Sequence, residues 1–255
     1  MRPRLASLHA LVEKRGRGVL GTWVKLATFE TVQLLAHAGF EAIVIDMEHA
    51  PLSLSRAAEL VVCAQASGML ALVRLPDAAG TTVQPLLDAG ADGLLVPRVT
   101  SPEIAEGVTR KMIFAPVGDR GLGSTSRAGG WGLGARADYL ERADQVARFV
   151  QLEDWQSLER ADEFAAVLGV GGLFIGHGDL SLSSGRPASD PQIVALTDAV
   201  IATAKAADKL SGVAVSSADD ARGYLARGVS LVMLSNDATM FGQAALQVAE
   251  AALRL

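Results

Sequence analysis

AGFEAIVIDMEHAP, residues 38–51, joins the glycine-terminated end of a helical pattern to a short, wholly apolar run. A glycine is what a helix prefers just beyond its last turn, where the backbone becomes left-handed. The run 42–45 shows no polar/apolar alternation, so both of its faces should be buried, as in a parallel strand covered by helices. The segment therefore predicts a helix followed at once by a buried parallel strand.

The same unit recurs along the chain, with glycines at 90, 172 and 228 each preceding an apolar run. Repeated units of this kind indicate an α/β fold. Eight candidate strands follow from the apolar runs, at 21–25, 42–46, 70–74, 93–97, 148–152, 172–176, 212–216 and 231–235. Eight runs favour a closed (β/α)8 TIM barrel over an open doubly wound sheet, and no GxGxxG follows the first strand.

The length of 255 residues suits one such barrel, and no shift in composition marks a second domain. We therefore expect residues 1–255 to form a single barrel domain. A short N-terminal helix packed on the barrel is predicted by apolar residues at helical spacing: Leu5, Leu8, Leu11 and Val12. The connection between Pro97 and Arg148 is unusually long and glycine-rich, and its apolar run 112–114 is a candidate extra strand.

Composition excludes several classes of function. The net charge of -5 gives no basic surface for nucleic acid and no polybasic patch for a membrane. No stretch has the length of a transmembrane helix, and the basic N-terminus lacks the apolar run of a signal peptide. The single cysteine, Cys63, lies in an apolar run and is expected to be a buried structural thiol. These features suit the reducing cytoplasm.

Polar side chains collect where four of the predicted strands end. Strand two ends in Asp46-Met47-Glu48-His49, strand three at Arg74, strand five in Gln151-Leu152-Glu153, and strand six in Gly176-His177-Gly178-Asp179. Barrel active sites lie at the carboxyl ends of the strands, so these groups should converge on one mouth.

Two of these groups, Glu153 and Asp179, offer the oxygen ligands that hard cations such as Mg²⁺ and Mn²⁺ prefer. A 2-oxo acid can chelate such a cation, which then stabilises the enolate formed at C3. Arg74 would add a positive charge at the enolate oxygen. The backbone N–H groups of Gly178 and Asp179 open a helix and could hold the substrate carboxylate.

Asp46 and His49 could form a dyad in which the carboxylate orients the imidazole as a general base. Taken singly, these residues also have ordinary interpretations: Glu153 and Arg74 as members of structural ion pairs, and Asp179 as a helix cap. Only their coincidence at one end of the predicted barrel favours a catalytic site.

The ordered segments GTWVK (21–25), AGFEAIVIDMEHAP (38–51), LVRLP (72–76), LLDAGADGLLVPRV (86–99), GDRGLGS (118–124), VQLE (150–153) and IGHGDLS (175–181) resemble one known family. It is the HpcH/HpaI family of metal-dependent 2-oxo acid aldolases, and the resemblance covers nearly the whole chain. It implies reversible cleavage of a 4-hydroxy-2-oxo acid to pyruvate or hydroxypyruvate and an aldehyde. It also implies a divalent cation as cofactor: Mg²⁺, Mn²⁺ or Co²⁺.

The resemblance assigns roles to positions of this sequence. The metal ligands fall on Glu153 and Asp179, the enolate-stabilising arginine on Arg74, and the base dyad on His49 with Asp46. Gln151 matches a substrate contact, and Gly178 and Asp179 match positions whose backbone binds the carboxylate. Asp88 matches an acidic residue that reaches a neighbouring subunit's site. A homo-oligomer, commonly a hexamer built as a trimer of dimers, is implied, with the C-terminal helix near 238–254 packed between subunits.

The chain departs from the family where relatives often read Gly-Pro-Ala-Asp, because here the segment is Gly176-His177-Gly178-Asp179. His177 is then either a pocket residue that alters specificity or a neutral replacement. Glycines also crowd the loop 128–134, so the aldehyde partner is the property least transferable from the family.

Two other functions stay open at the level of sequence. A Schiff-base aldolase would need a lysine at a strand end, and Lys25 is the candidate. A phosphate-binding or non-catalytic barrel would use the loops after strands seven and eight, but 216–220 and 235–237 are acidic rather than glycine-rich.

Overall fold

The computed structural model describes residues 7–253, and these form a closed barrel of eight parallel strands in sequential order. The strands are β1 (Val19–Val24), β2 (Ala42–Asp46), β3 (Leu70–Arg74), β4 (Gly93–Val96), β5 (Ala147–Leu152), β6 (Gly172–Ile175), β7 (Leu210–Val215) and β8 (Leu231–Asn236). The predicted (β/α)8 barrel is confirmed, and every predicted strand is present within two residues of its expected start and end.

Helices fill the connections around the barrel. They are α1 (Leu8–Arg15), α2 (Phe29–His37), α3 (Leu54–Ala66), α4 (Val83–Asp88), α5 (Pro102–Arg110), α6 (Arg136–Asp144), α7 (Trp155–Glu159), α8 (Ala161–Ala166), α9 (His177–Ser184), α10 (Pro191–Ala206), α11 (Ala218–Ala226) and α12 (Asp237–Leu253). A 3-10 turn covers Gly130–Gly132 in the long connection before α6. The candidate extra strand at 112–114 is wrong, since only an isolated bridge joins Phe114 to Arg120 there.

Strand pairing places all eight carboxyl ends on the same rim. Each strand pairs in parallel with its neighbours, and β1 closes the barrel against β8 with a shift of register between Gly21 and Trp23. The pairing of β2 with β3 sets Asp46 directly opposite Arg74. Residues at the strand ends therefore face a common opening, as the sequence predicts.

The inside of the barrel is packed by aromatic side chains. Trp23, Phe149 and Phe174 meet edge to face, with ring centroids 5.8 Å apart for Trp23–Phe174 and 6.2 Å apart for Phe149–Phe174. Glycines on neighbouring strands make room for the rings, because a Cβ added at Gly172 or Gly212 would overlap Phe149 or Phe174. The barrel interior is thus a packed core. Its aromatic layer nearest the carboxyl ends of the strands, with Trp23 and Phe174, closes the bottom of the opening there.

The N-terminal helix α1 packs on the opposite, amino-terminal end of the barrel. Leu8 is 1 % exposed and belongs to the interior cluster, with Leu11 and Val12 packed beside it. Its first turn is capped by Ser7, whose hydroxyl accepts a hydrogen bond from the Ala10 N–H. The predicted helix is confirmed over this range, while Leu5 lies outside the described residues.

The last helix, α12, leaves the barrel after its first turn. Asp237 is buried at its start, but every described residue from Phe241 to Leu253 is exposed. Phe241, Leu246 and Val248 present apolar surface along it, with exposed fractions of 69, 59 and 71 %. Apolar exposure on this scale is unusual for an isolated barrel.

Two further expectations concern surface and burial. Cys63 is half-buried on α3 rather than fully buried, with Sγ 3.8 Å from the Phe29 carbonyl oxygen, and burial raises the pKa of its thiol. It therefore remains a structural thiol.

Among residues 7–253, no helix combines the length and the apolar character needed to cross a membrane.

Replacing Gly212 with alanine should destabilise the protein, because the new methyl group would overlap the ring of Phe174 in a packed core. We expect the free energy of unfolding to fall by about 1–3 kcal/mol. Gly223→Ala is the matched control, since Gly223 lies on α11 with nothing within 4 Å of an added Cβ. Urea unfolding should show no loss for the control, and equal losses for both variants would contradict this packing.

Candidate active site

A cavity of about 250 Å³ opens at the carboxyl rim of the barrel. Five of the residues that the sequence predicts for the site line it: His49, Arg74, Gln151, Gly178 and Asp179. Trp23, Phe174, Lys25 and Asn236 line it as well. The side chains of Asp46 and Glu153 lie directly behind the lining, bonded to Arg74 and Gln151 respectively.

Asp46 is the centre of a hydrogen-bond network. Its carboxylate, fully buried, accepts two bonds from the Arg74 guanidinium at 2.9 and 2.6 Å and one from Lys25 Nζ at 2.6 Å. The N–H groups of Glu48 and His49 donate to its Oδ1, each at 3.1 Å. Burial acts to raise the pKa of Asp46, but the hydrogen bonds and charge of Arg74, with the Lys25 hydrogen bond, outweigh it and lower that pKa to about 2.

The expected contact between the Asp46 carboxylate and the His49 imidazole is not made. Asp46 reaches His49 only through the backbone N–H, whereas Nε2 of His49 lies 3.4 Å from Oε2 of Glu48. The reason is competition, because two cations occupy both oxygens of Asp46. The carboxylate beside the imidazole is therefore that of Glu48.

Glu48 is a site residue that the sequence reasoning missed. Its side chain is 4 % exposed and pairs with Nη1 of Arg74 and Nε of Arg98, each at 3.0 Å. Oε2 has no hydrogen-bond partner of good geometry. The only signal in the sequence is its place between Asp46 and His49 at the end of β2, and side chains there alternate in direction.

Arg98, just after β4, was missed as well. Its backbone has a positive φ of 53°, which is uncommon for a residue with a side chain and concentrates at functional sites. This conformation lets the N–H donate to Oε1 of Glu153 at 2.6 Å while the side chain reaches Glu48. One strained residue thus positions two carboxylates.

Glu153 is a buried carboxyl with few compensating contacts. Oε1 accepts from Arg98, and Oε2 accepts from Nε2 of Gln151 at 2.6 Å. Gly176 leaves space for both side chains, because a Cβ there would approach each of them within 2.8 Å. Burial, together with the negative charges of Glu48 and Asp179, raises the pKa of Glu153 from its usual 4.5 to about 7, although the Arg98 hydrogen bond opposes this.

Asp179 faces the cavity from the first turn of α9, beside Gly178. The first N–H groups of a helix lack partners inside the helix, so those of Gly178 and Asp179 are available to an anion. Within the described residues, no three His, Cys, Asp or Glu side chains form a complete metal cage. The arrangement suits a hard cation held by Glu153 and Asp179, with substrate and water as the remaining ligands.

His177 is held by the protein on both sides of its ring. Nδ1 lies 3.3 Å from the Ala214 carbonyl oxygen, and Nε2 lies 2.9 Å from the hydroxyl of buried Thr197. Because a carbonyl only accepts, Nδ1 carries the proton and Nε2 accepts from Thr197. Burial lowers the pKa of His177, which keeps it neutral. The residue therefore ties the start of α9 to β7 and α10, and its nitrogens are not free to contact a ligand.

Asp88 lies outside this cavity in its own chain. Its Oδ1 accepts from Nη2 of Arg120 at 3.2 Å and from the Tyr139 hydroxyl at 3.3 Å. Gly123 packs so closely that a Cβ would meet the same carboxylate at 2.8 Å. The residue thus anchors the long connection after β4. The other predicted site residues line the cavity or lie directly behind its lining.

Polar groups in the last two loops are used for capping. The buried carboxylate of Asp237 accepts from the N–H groups of Lys25 and Leu26 at 2.9 and 3.0 Å, and Ser217 caps α11 through Asp220 N–H. These loops therefore offer acceptors rather than the free donors that a phosphate needs.

The sequence profile of the HpcH/HpaI aldolase/citrate lyase family matches residues 19–244. A hydroxypyruvate/pyruvate aldolase of Pseudomonas aeruginosa is 35% identical over 232 residues, which are 89% of this chain and 85% of that protein. A 4-hydroxy-2-oxovalerate aldolase of Rhodococcus jostii is 38% identical over 87% of this chain and 86% of its own length. The crystal structure of a family member from Burkholderia cenocepacia, 30% identical, superposes with a TM-score of 0.86 over 97% of this chain and 99% of that one.

Glu153→Gln should stabilise the metal-free protein above neutral pH. A carboxyl whose pKa is raised in the folded state stays protonated there while the unfolded chain ionises, so stability is lost as pH rises from 4.5 to about 7. Glutamine keeps the shape, and a rotated Gln151 amide can bond it, since Oε1 of Gln151 has no partner.

The measurement is urea unfolding in the presence of EDTA at pH 5 and pH 8. The gain in unfolding free energy from Glu153→Gln should be larger at pH 8 by on the order of 2–3 kcal/mol. A gain in unfolding free energy that is the same at both pH values would show that the pKa of Glu153 in the folded protein stays near its usual 4.5.

Proposed function

This chain belongs to the HpcH/HpaI aldolase/citrate lyase family, and from that premise we propose that it is a divalent-metal-dependent aldolase acting on 4-hydroxy-2-oxo acids. Its membership and the aldolases among its relatives make it a carbon–carbon lyase. The finer proposal is reversible cleavage to pyruvate or hydroxypyruvate and an aldehyde. The observation that carries it is the pair Glu153 and Asp179, two carboxylates whose charges act on each other at one cavity.

The carboxylates fit a metal because Arg74 and the Arg98 hydrogen bond offset their repulsion only in part, and the Glu153 oxygens accept from a backbone N–H and an amide rather than from a cation. Asp179 and Glu48 both raise the pKa of Glu153, so a cation between these groups would relieve an unfavourable arrangement. We assign Glu153 and Asp179 as ligands of Mg²⁺, Mn²⁺ or Co²⁺. When bound, such a cation supplies Lewis acidity toward the keto oxygen of a 2-oxo acid.

Arg74 supplies the positive charge at the enolate oxygen. Its guanidinium is bonded twice to Asp46, pairs with Glu48 and stacks on Trp23 with 4.4 Å between Cζ and the ring centroid. These contacts hold the group rigidly, and a charge that is already oriented lowers the barrier without reorganising.

His49 is the candidate for moving the proton of the substrate's 4-hydroxyl group during cleavage. It lines the cavity, its side chain is 44% exposed, and Glu48 lies beside Nε2. Asp46 contributes by fixing the backbone of His49 and the side chain of Arg74. The neighbouring carboxylate of Glu48 stabilises the imidazolium that forms when His49 accepts the proton.

The start of α9 and Gln151 hold the 2-oxo acid itself. The free N–H groups of Gly178 and Asp179 suit the substrate carboxylate. Nε2 of Gln151 is occupied by Glu153, whereas Oε1 is buried beside the cavity and has no hydrogen-bond partner among the described residues. Gln151 therefore orients the ligand Glu153 and can accept a hydrogen bond from a hydroxylated substrate such as hydroxypyruvate.

The alternatives receive less support from the site. Lys25 lies in the cavity, but Nζ forms an ion pair with Asp46, and an ammonium group has no lone pair for attack on a carbonyl. A phosphate ligand finds no set of free donors in the loops after β7 and β8, where Asp237 and Ser217 serve as caps.

We also propose that the enzyme works as a homo-oligomer, a hexamer built as a trimer of dimers. Support comes from α12, whose apolar surface from Phe241 onward is uncovered in the single chain. Burying it against a second copy would remove this surface from water. In such an assembly we assign Asp88, whose side chain is 21% exposed beside the buried Arg120, as the residue that reaches a neighbour's cavity.

The test follows the exchange of the C3 hydrogens of pyruvate in D2O by NMR, which reports enolate formation without an aldehyde. We expect exchange to stop in EDTA and to return with Mg²⁺, Mn²⁺ or Co²⁺. Persistent exchange in EDTA, together with trapping of pyruvate on the protein by borohydride, would contradict the proposal and favour Lys25.

The same assay tests Arg74. Arg74→Lys keeps a positive charge against the buried Asp46 and Glu48 but loses the two-pronged geometry. We expect the exchange rate to fall about 100-fold or more. Arg56→Lys, at an exposed ion pair on α3, is the control and should not change it. A rate for Arg74→Lys within a factor of three of wild type would contradict the assignment.

A further inference from the structure

We propose that His177 and Thr197 form a tether that fixes the first turn of α9, so that the N–H groups assigned to the 2-oxo acid are in place before it binds. His177 is then a positioning residue and does not itself touch the substrate. The inference deepens the proposed function and rests on it. It gives a role to the residue at which this chain departs from many relatives.

The first turn of α9 lacks the capping side chain that holds other helices of the barrel. Before α2, α3 and α11 a serine or threonine hydroxyl accepts a hydrogen bond from a first-turn N–H. The residue before α9 is Gly176, and no side-chain cap bond is present. A cap would occupy an N–H group that the substrate carboxylate needs, so other contacts must fix this helix start.

His177 supplies those contacts from the first residue of α9. Its Nδ1–H donates to the Ala214 carbonyl oxygen on β7 at 3.3 Å, and its Nε2 accepts from the Thr197 hydroxyl on α10 at 2.9 Å. Thr197 is fully buried, and its hydroxyl makes no other hydrogen bond among residues 7–253. The threonine therefore acts on the site only through the imidazole.

A second anchor lies one turn further along α9. Leu180 is fully buried in the hydrophobic core, and its N–H donates to the Gly176 carbonyl oxygen at 3.2 Å, which closes the first turn. Gly178 and Asp179 lie between the two anchors, and both are exposed at the cavity. The imidazole and the buried leucine thus bracket the pair to which we assign the substrate carboxylate and the metal.

The tether matters because the backbone beside it is otherwise free. Glycines flank His177 on both sides, and glycine loses more conformational freedom on folding than any other residue. A Cβ added at Gly178 would meet nothing within 4 Å, so packing does not restrain that residue. A first turn that is already ordered binds a ligand more tightly without adding any contact to it.

The experiment follows the exchange of the pyruvate C3 hydrogens in D2O against pyruvate concentration, with saturating Mn²⁺. Thr197→Val keeps the side-chain shape but leaves Nε2 of His177 without its donor. We expect KM for pyruvate to rise about three- to tenfold, the value of one hydrogen bond, while the exchange rate at saturation changes by less than about twofold. Adding Thr197→Val to His177→Ala should raise KM no further than His177→Ala alone.

Thr109→Val is the matched control and should leave KM unchanged. Thr109 is also a fully buried threonine within a helix, α5, and its hydroxyl bonds only to backbone carbonyl oxygens of that helix.

His177→Pro tests whether a fixed turn is what matters. Proline at the first helical residue restricts the backbone through its ring, and within the described chain the His177 N–H makes no hydrogen bond that would be lost. KM should therefore stay well below that of His177→Ala. A KM as high as that of His177→Ala would overturn the tether, since affinity would then depend on the imidazole itself.

A second readout does not depend on activity. Deuterium uptake by the metal-free protein, followed by mass spectrometry, should increase for Thr197→Val in the peptide that contains α9 and not in peptides from α3 or α5. Uptake that increases uniformly along the chain would overturn the tether. So would a KM for pyruvate that rises by less than about threefold in Thr197→Val.

The two proposals can fail separately. If wild type did not exchange the pyruvate hydrogens with Mn²⁺, the proposed function would fail, and the deuterium uptake of α9 would still support or overturn the tether. If wild type exchanged them and Thr197→Val behaved as Thr109→Val does, the tether would fail and the aldolase proposal would stand.

Discussion

The ion pair of Asp46 with Arg74 is the interaction on which the rest of the rim depends. The two residues are direct partners in the pairing of β2 with β3, and the carboxylate is fully buried. A buried charge must be paired and hydrogen-bonded, and Asp46 meets this need with Arg74, Lys25 and two backbone N–H groups. The position of the arginine, the lysine and the backbone of His49 follows from one carboxylate.

The part of the cavity next to β5 and α9 has the reverse imbalance, because there the carboxylates lack cations bonded to them. There Glu153 has a raised pKa because it is buried near Glu48 and Asp179, and its partners are a backbone N–H and an amide rather than a cation. The carboxylates of Glu153, just after β5, and Asp179, on α9, thus lie at the same opening as the cations Lys25, just after β1, and Arg74, on β3. Such a division suits a reaction in which a bound cation would stabilise an enolate on one side of the cavity. A second molecule would then approach from the other side.

The sequence predicted the barrel well because glycine-terminated helices and unalternating apolar runs are local features that survive folding. It also predicted which strand ends meet, since parallel strands place their carboxyl ends together. It could not predict how charges pair across strands: Asp46 and His49 are close in sequence, yet Arg74 and Lys25 from other strands occupy the carboxylate. Arg98 was missed for a related reason, because its role comes from a backbone conformation.

The most direct test of the account is a calorimetric titration of Mn²⁺ into the metal-free protein at pH 6 and pH 8, for wild type and Glu153→Gln. If Glu153 is a ligand that must lose its proton, wild-type affinity should rise severalfold to about tenfold between these pH values, and Glu153→Gln should bind Mn²⁺ far more weakly at both. Binding by Glu153→Gln as tight as that of wild type would contradict the metal site, and with it the account of the cavity's two sides.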